Sequence, residues 1–278
     1  MNIVHIINNS ISAKAATDRK MEIMSQKLPL EGRVALVTGA GRGVGAGIAM
    51  SLASAGAQVI VNDLYQERAE SVAESITAAG FSGTAYAFDV MGPDLVESAV
   101  SNIAKDFGGI DILVHNAGII EGGGRPKKLA DMPVEDWQLQ IELNLVAMIR
   151  LVQLVIPLQI DRGWGRLIQI SSGASSRGLS IGVSAYGAAK AGTESLIRHI
   201  GVEYGAEGIT ANALALGLME GIHQNQDSGV QKLIKNIPVG RLGRPSDVGA
   251  AAVWLCSEGG GFVNSQVIHL NGGTVFGR

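Results

Sequence analysis

Tyr186 and Lys190 stand out chemically because they lie four positions apart in a run of small residues, Ser184 to Ala191. Such a run predicts a helix, and residues four apart lie on one face of a helix, a turn from each other. A free tyrosine has a pKa of about 10, and a nearby positive charge favours its phenolate form. We therefore predict a general acid/base pair in which Lys190 lowers the pKa of Tyr186. Surface helices also produce this spacing by chance, so the rest of the chain must support the prediction.

A glycine-rich turn follows the first apolar segment of the chain. Val34–Thr38 reads as a strand, Gly39–Gly45 contains four glycines, and Ala46–Ala55 reads as a helix of small residues. Glycine lets a backbone turn sharply and approach a pyrophosphate, to which the N–H groups of the helix then point. The next apolar segment ends in Asp63, close to the position expected for an acid that binds ribose hydroxyls. Together these features indicate a dinucleotide site.

Apolar runs alternate with helical segments from Arg33 onward. The predicted strands are Ala35–Thr38, Val59–Asn62, Thr84–Asp89, Ile112–His115, Leu167–Ser171, Thr210–Leu214 and Gln266–Leu270. The predicted helices lie near 43–55, 67–79, 94–107, 134–160, 184–205 and 246–257. This alternation predicts an α/β fold with a doubly wound parallel sheet of about seven strands, whose ligands bind at the carboxyl ends of the strands.

Composition excludes several classes of protein. The net charge of −3 gives no reason to expect nucleic acid as a partner, and no uninterrupted apolar run approaches the ~20 residues of a membrane span. The single cysteine, Cys256, cannot form an internal disulfide and fits a reducing cytoplasm. We read it as a core side chain. The histidines have no metal-ligand spacing, so we predict no metal site.

Residues 1–29 differ from the rest of the chain. Their apolar stretch Ile3–Ile7 is too short for the core of a signal peptide, and a mixed-charge polar segment follows it. We predict a flexible arm over 1–29 and one domain over 30–278. An arm that contacts other subunits remains an alternative, as does an upstream extension of a reading frame that starts at Met21 or Met24.

Ten motifs occur in a fixed order along the domain. They are Thr38-Gly-x-x-x-Gly-x-Gly45, Asp89-Val90 ending the third strand, Asn116-Ala-Gly118 ending the fourth, Asn144 on the next helix, Ser171-Ser172, Tyr186-x-x-x-Lys190, Gly208-Ile-Thr-Ala-Asn212, Leu216-Gly217, Gly240-Arg-Leu-Gly-Arg-Pro-Ser-Asp247 and Asn271-Gly-Gly273. Their joint occurrence resembles the short-chain dehydrogenase/reductase family, from about residue 30 to the C terminus. The most similar branch is that of the 3-oxoacyl-carrier-protein reductases. The resemblance implies a single-domain Rossmann fold.

The resemblance also implies a role for each matching residue. Tyr186 is the catalytic acid/base, Lys190 lowers its pKa and holds the nicotinamide ribose, Ser172 binds the substrate oxygen, and Asn144 holds a water of the proton relay. Ser171 competes with Ser172, but the second serine matches the family better. The implied cofactor-binding residues are Gly39, Arg42, Gly43, Val44, Gly45, Asp63, Leu64, Asp89, Val90, Asn116, Ala117, Gly118, Tyr186, Lys190, Gly217 and Met219.

Two residues near the glycine turn give opposite indications of the cofactor. The carboxylate of Asp63 favours NAD because it pairs with ribose hydroxyls and repels a 2′-phosphate. Arg42 resembles a residue of NADP-dependent relatives. We give Asp63 the greater weight and expect NAD, with NADP as a poorer alternative. Two departures from the family follow the sixth predicted strand: Leu216 replaces the proline that usually precedes Gly217, and Gly221 replaces a threonine that contacts the carboxamide.

The sequence favours an enzyme that interconverts a secondary alcohol and a ketone of a small or hydrophobic compound. An NADPH-dependent carrier-protein reductase is the alternative. Such reductases carry basic residues at two positions, whereas this chain has Glu207 at the first and Gly163, beside Arg162, near the second. Arg125, Lys127 and Lys128 are either contacts for an anionic substrate or solvated loop charges, and we favour the second reading. The rivals from other classes are a non-catalytic NAD-binding redox sensor and a nucleotide-sugar dehydratase or epimerase. By resemblance we expect a cytoplasmic homotetramer without nucleic-acid or membrane partners.

Overall fold

The computed structural model describes residues 27–120, 126–221 and 228–274, which form seven parallel strands with helices on both faces of the sheet. The strands are β1 (Val34–Val37), β2 (Gln58–Val61), β3 (Gly83–Ala85), β4 (Ile112–His115), β5 (Gly165–Ser172), β6 (Ile209–Leu216) and β7 (Val267–Leu270). The α-helices are α1 (Gly43–Ser54), α2 (Gln66–Ala78), α3 (Pro93–Phe107), α4 (Val134–Ile141), α5 (Ala147–Asp161), α6 (Ser184–Glu203), α7 (Ser228–Ile234) and α8 (Pro245–Cys256). A π-helical turn, Glu142–Val146, joins α4 to α5.

The strand order is β3-β2-β1-β4-β5-β6-β7, which confirms the doubly wound Rossmann fold. The chain moves outward from β1 to β3 and then returns to the other side of β1 with β4. Val37 at the end of β1 lies opposite Val61 and Val114, so the carboxyl ends of the central strands meet at one edge. A crevice opens there, between β1 and β4, where ligands of such sheets bind.

The sheet is buried on both faces, which explains the continuous apolar runs of its strands. Alternate side chains enter different cores because successive residues of a strand point to opposite faces. Val37 and Val61 pack with Ile48 of α1 on one face. Leu36 and Leu113 belong to the core on the other face, which also contains residues of α3, α5 and α6. Cys256 is buried in the first core, and burial raises the pKa of its thiol to about 12, as expected for a packing residue.

Three details of the sequence prediction were wrong. The third strand ends at Ala85, not at Asp89, although backbone hydrogen bonds from Tyr86 to Val61 and from Phe88 to Asp63 continue its direction. The helix near 134–160 contains the π-helical turn, since the backbone there takes one extra residue around Asn144. Helix α7 was not predicted. Residues 1–26 of the predicted arm lie outside the described residues. The end of the predicted arm is in contact with the domain, because the carbonyl of Leu28 accepts a hydrogen bond from the amide of Glu31.

The continuous helical stretch Val134–Asp161 is long and apolar enough to cross a membrane by length and composition. It contains no uninterrupted apolar run of that length because polar residues are spread along it. Its buried face includes Met148, Leu151 and Val155, which pack in the core that the sheet shares with α3 and α6. The core helices of many globular proteins share this composition, so the stretch is explained by its packing.

Candidate active site

A cleft of about 740 Å³ opens at the carboxyl edge of the sheet, lined by loops that follow the central strands. The expected cofactor residues that line it are Gly39, Arg42, Gly43, Val44, Asp63, Leu64, Asp89, Val90, Asn116, Ala117, Gly118, Tyr186, Lys190, Gly217 and Met219. Gly45 lies beneath the cleft, where a Cβ would meet Asn116 Nδ2 at 2.5 Å. A smaller cavity of about 220 Å³, beside Arg241 and Asp247, contains neither Tyr186 nor Lys190.

The glycine turn is held by polar contacts to the neighbouring strands. The side-chain amide of Asn116 donates to the carbonyls of Thr38 and Gly39, at 3.0 and 2.8 Å, and the backbone amide of Asn116 donates to Thr38 Oγ1. Gly39 and Gly43 have φ angles of 60° and 56°, which residues with a Cβ rarely adopt. The turn therefore presents backbone at the N-terminus of α1, where free N–H groups suit a phosphate.

Asp63 is buried at the end of β2 and contacts the turn directly. Its Oδ2 accepts a hydrogen bond from the amide of Gly41 at 3.1 Å, and its Oδ1 accepts one from the amide of Tyr65 at 3.2 Å. A Cβ on Gly41 would lie 2.6 Å from Asp63 Oδ2. The glycines and the carboxylate thus form a cradle that side chains would fill, and this arrangement fits a dinucleotide.

Ser172 and Tyr186 face each other in the other half of the cleft. Ser172 ends β5, and its Oγ accepts a hydrogen bond from the amide of Ala174. Burial raises the pKa of Tyr186, and a hydrogen bond with Ser172 lowers it. Ser171 points elsewhere, because its hydroxyl donates to Glu194 Oε1 at 2.6 Å. The geometry therefore favours Ser172 over Ser171 as the serine that binds substrate.

Lys190 lies one turn after Tyr186 on α6 and is fully buried. Its Nζ is 5.6 Å from the centre of the Tyr186 ring and donates to the carbonyl of Ile170 at 2.8 Å. Burial lowers the pKa of Lys190 to about 7, and the charge of Glu194 raises it. The expected lowering of the Tyr186 pKa by Lys190 is not seen in this structure. Burial dominates both groups and shifts each towards its neutral form, although with a pKa of about 7 Lys190 is still about half protonated near neutral pH.

Asn144 lies in the π-helical turn and is buried beneath the cleft. Its Nδ2 donates to the backbone carbonyl of Gln140, while its Oδ1 has no hydrogen-bond partner among the described residues. Both Asn144 Oδ1 and Lys190 Nζ lie beside Gly118, where a Cβ would approach them to 2.6 and 2.8 Å. A buried, unpartnered acceptor next to an ammonium suits the water-holding role that the resemblance implies.

A buried histidine, His115, also lies close to Lys190. Its spacing in the sequence had indicated no metal site. His115 Nδ1 is 3.1 Å from Gln169 Oε1, and Gln169 Nε2 donates to the same Ile170 carbonyl that accepts from Lys190. Burial, followed by the charge of Lys190, lowers the pKa of His115 to about 3, so the ring is neutral. The only signal was its position before Asn116, which does not distinguish a polar contact from a core residue.

Other contacts of the cleft had no motif to indicate them. The Asn62 side chain donates to the carbonyls of Tyr86 and Phe88 and so fixes the segment that precedes Asp89. Arg68 lines the cleft near Asp63, with its guanidinium 4.3 Å from the centre of the Tyr65 ring. These residues follow strand ends, but no residue type or spacing in the sequence marks them.

The remaining sequence hypotheses concern the rim of the cleft. Gly217 approaches Asn271 so closely that a Cβ would lie 2.8 Å from its Cα, and Gly221 has a φ of 85° with open space around it. Lys127 forms an exposed ion pair with Asp136 at 3.0 Å, which favours a solvated loop charge over a contact for an anionic substrate. Arg125 lies outside the described residues. Over the described ranges, no group of three or more His, Cys, Asp or Glu is placed to hold a metal ion.

A family model described as enoyl-(acyl carrier protein) reductase matches residues 39–275. The chain belongs to the short-chain dehydrogenase/reductase family. It is 34% identical over 246 residues to a 3-oxoacyl-[acyl-carrier-protein] reductase of Vibrio cholerae, covering 88% of this chain and 98% of that protein. The family assignment rests on a match along nearly the whole length of both proteins.

Two solved structures have the same fold. One is 7α-hydroxysteroid dehydrogenase complexed with NADH and 7-oxo glycochenodeoxycholic acid, with a TM-score of 0.83, 32% identity, and coverage of 90% of this chain and 96% of that one. The other is a gluconate 5-dehydrogenase from Burkholderia cenocepacia with NADP and tartrate, with a TM-score of 0.81, 33% identity, and coverage of 89% and 97%.

Proposed function

We propose that this family member is an NAD-dependent dehydrogenase/reductase that interconverts an apolar secondary alcohol and its ketone. One observation carries the proposal. Ser172, Tyr186 and Lys190 meet in one half of a cleft whose other half is formed by the glycine turn and Asp63. Bound NAD would supply the hydride chemistry between the two halves, and the chain supplies the proton, the orientation and the charge.

In alcohol oxidation, the Tyr186 oxygen takes the hydroxyl proton of the substrate and Ser172 holds the substrate oxygen. In the reverse direction Tyr186 returns the proton. Burial raises the pKa of Tyr186, so its phenolate needs a positive charge nearby, and the Lys190 ammonium is the group placed to provide one. Asn144 Oδ1 is the acceptor available for a water that passes the proton onward from Lys190.

The preference for NAD is supported by the surroundings of Asp63. Each oxygen of its carboxylate already accepts one backbone amide, and each retains a lone pair for a ribose hydroxyl. A 2′-phosphate would bring like charges together at this buried residue. Arg42 and Arg68 line the same end of the cleft and offset part of that repulsion, so we expect NADP to be used poorly. The related structures contain NADH in one case and NADP in the other.

The substrate end of the cleft supports an apolar, uncharged compound. Its wall contains Ile119, Ile120, Leu139 and Leu143. Among the described lining residues, the charged side chains other than Lys190 are Arg42, Asp63, Arg68 and Asp89, all of which follow the first three strands. A free hydrophobic alcohol, of the class that a steroid alcohol represents, therefore suits the site.

A 3-oxoacyl-carrier-protein reductase is the second candidate, favoured by the 34% identity to one such enzyme. Docking of an acidic carrier needs exposed basic residues. Arg162 already forms an ion pair, since its Nε lies 3.3 Å from Asp111 Oδ1. Glu207 is negatively charged, which is the opposite of the charge that the carrier requires. These observations make the carrier protein the weaker choice.

We further propose a cytoplasmic homotetramer that works without nucleic-acid or membrane partners. The lone reduced Cys256, the net charge of −3 and the resemblance support this proposal. Trp254 of α8 and Phe262 are exposed apolar side chains and suit contacts between subunits.

The test is a screen of secondary alcohols and ketones, including steroid alcohols and a 3-oxoacyl thioester, in which the absorbance of NADH or NADPH is followed. We expect turnover of hydrophobic alcohols with NAD. Tight binding of NADH without turnover of any compound would instead support the redox sensor. Efficient turnover only of the thioester with NADPH would support the carrier-protein reductase.

A further inference from the structure

A buried carboxylate lies one helical turn beyond Lys190, and the proposed reaction assigns it no role. Glu194 is 7% exposed and shares one face of α6 with Lys190. A buried carboxylate is costly unless hydrogen bonds and an opposite charge compensate for the loss of water. Glu194 has both kinds of compensation, and both come from residues that lie next to Ser172 and Tyr186.

The hydrogen bonds of Glu194 reach the residues on either side of Ser172. Its Oε1 accepts from Ser171 Oγ at 2.6 Å and lies 2.5 Å from Ser175 Oγ. Ser175 Oγ also lies 2.6 Å from the carbonyl of Ser172, so its single proton serves one of two acceptors at a time. The carboxylate therefore ties α6, which carries Tyr186, to the end of β5, which carries Ser172.

The opposite charge is that of Lys190. The two side chains anchor to neighbouring residues of β5, since Lys190 Nζ donates to the carbonyl of Ile170 and Glu194 accepts from Ser171. Burial lowers the pKa of Lys190 to about 7, and Glu194 is the group that raises it. Near neutral pH, a small electrostatic change at Glu194 thus changes how much Lys190 is charged.

Among the residues that the structure describes, few other charges surround Lys190. The strand β6 and the turn Gly173–Ser175 contribute none, Arg166 lies at the far end of β5, and Glu142 of the π-helical turn pairs with Arg150 at 2.6 Å. On α4, Glu135 and Asp136 are exposed. The remaining titratable neighbours are Tyr186 and His115, of which His115 is neutral because burial and the charge of Lys190 lower its pKa to about 3.

We propose that Glu194 is a positioning residue that fixes Ser172 against Tyr186 through Ser171 and Ser175, and that its negative charge maintains the ammonium form of Lys190. The first role rests on the proposed function, whereas the second concerns the folded protein alone. Glu194→Gln separates the charge from the geometry, because glutamine keeps an oxygen that accepts hydrogen bonds and loses the negative charge.

The charge state of Lys190 is determined from the pH dependence of protein stability, in the absence of cofactor and substrate. The free energy of unfolding is measured from pH 5.5 to 9.5 for the full chain and for Lys190→Met, each with Glu194 and with Glu194→Gln. The difference between the lysine and methionine proteins begins to change with pH where Lys190 loses its proton. We expect that onset near pH 7 in the first pair, and lower by about one pH unit in the Glu194→Gln pair. An unchanged onset would overturn the proposal.

Ser175→Ala is the matched control, since it removes one hydroxyl and leaves the carboxylate. We expect its onset to equal that of the wild type, while its turnover of the alcohol found by screening falls about tenfold at unchanged NADH affinity. Unchanged turnover would refute the positioning role. If Glu194→Gln does not fold, Glu194→Asp replaces it: a smaller downward shift with reduced turnover supports the proposal, and wild-type values of both overturn it. Absence of turnover in the wild type would contradict the proposed function and leave the pH measurement to decide the role of the charge.

Discussion

Asp63 Oδ2 accepts a hydrogen bond of 3.1 Å from the backbone amide of Gly41, so the carboxylate that faces the cofactor end of the cleft also holds the glycine turn. The two residues are linked in sequence by helix α1 and strand β2. Their contact makes the choice of cofactor and the shape of the turn depend on each other. A change of either residue is therefore expected to act on both.

The first prediction is a preference for NAD over NADP of at least roughly tenfold in catalytic efficiency, a difference of about 1.4 kcal/mol. Asp63→Ala should narrow this preference by removing like-charge repulsion, and should also weaken NAD because the Gly41 contact is lost. Asp63→Asn is the control, since it keeps an acceptor oxygen and removes the charge. Steady-state kinetics with both cofactors measure the effect. A wild-type preference for NADP would show that Arg42 and Arg68 outweigh Asp63.

Gly41→Ala should reduce NAD affinity about tenfold or more, a loss of about 1.4 kcal/mol, and leave the protein folded. The new Cβ would lie 2.6 Å from both Asp63 Oδ2 and Arg68 Cβ, so the carboxylate must move out of its position. Fluorescence titration with NADH provides the affinity, and circular dichroism the fold. Gly259→Ala is the control, because a Cβ there makes only ordinary contacts, the shortest being 3.6 Å. Equal NADH affinities of the two variants would contradict the proposal that the glycine turn and Asp63 bind the cofactor.

Tyr186→Phe should abolish turnover while NADH still binds. The substitution deletes one hydroxyl and keeps the ring, so the packing of α6 is retained and the proton acceptor is lost. Ser172→Ala should reduce turnover strongly but leave a residual rate, because Tyr186 remains. Single-turnover kinetics at saturating cofactor measure both. Wild-type rates in Tyr186→Phe would refute the assignment of the acid/base.

The sequence predicted most of the fold because strands and helices depend mainly on the pattern of apolar residues that are close together in the chain. The apolar runs located each strand to within a few residues, apart from the end of the third. The pattern of Tyr186, Lys190, Ser172 and the glycine turn placed these residues at one edge because parallel strands share their carboxyl ends. Strand β3 was overestimated because Tyr86, Ala87 and Phe88 continue its apolar run, yet only the amides of Tyr86 and Phe88 bond to β2 and the residues after it.

What the sequence missed depends on contacts between distant segments. The bond between Glu194 and Ser171 joins residues 23 positions apart, and that between His115 and Gln169 joins residues 54 apart. Neither residue type marks a site by itself. The balance between burial and charge at Tyr186 and Lys190 is also a property of the fold, since spacing alone predicts only that the two side chains are near each other.

A chain that starts at Ser25 should keep full activity and an unchanged melting temperature. Every cleft residue follows residue 38, and the contacts of Leu28 with Glu31 and Gly56 are retained in that chain. Activity and thermal unfolding of the shortened and full chains are compared directly. Loss of activity with the fold intact would show that the first residues contribute to the site or to a subunit interface.

Lys190→Met should stabilise the protein at pH 7 and abolish its activity. The folded-state pKa of Lys190 is about 7, below its ordinary value of 10.5, because burial disfavours the ammonium. Between these two values the unfolded chain binds a proton that the folded chain does not, so wild-type stability rises with pH across this window. Below pH 7 the full cost of the buried charge is present, and the methionine variant should be more stable by about 2–4 kcal/mol. The advantage should shrink steadily from pH 7 to 9.5. Chemical denaturation at several pH values measures it, and Lys105→Met, in the last turn of α3, is the control for loss of a surface charge. A constant difference between wild type and variant across this range would show that Lys190 remains fully charged in the folded protein, contrary to the effect of its burial.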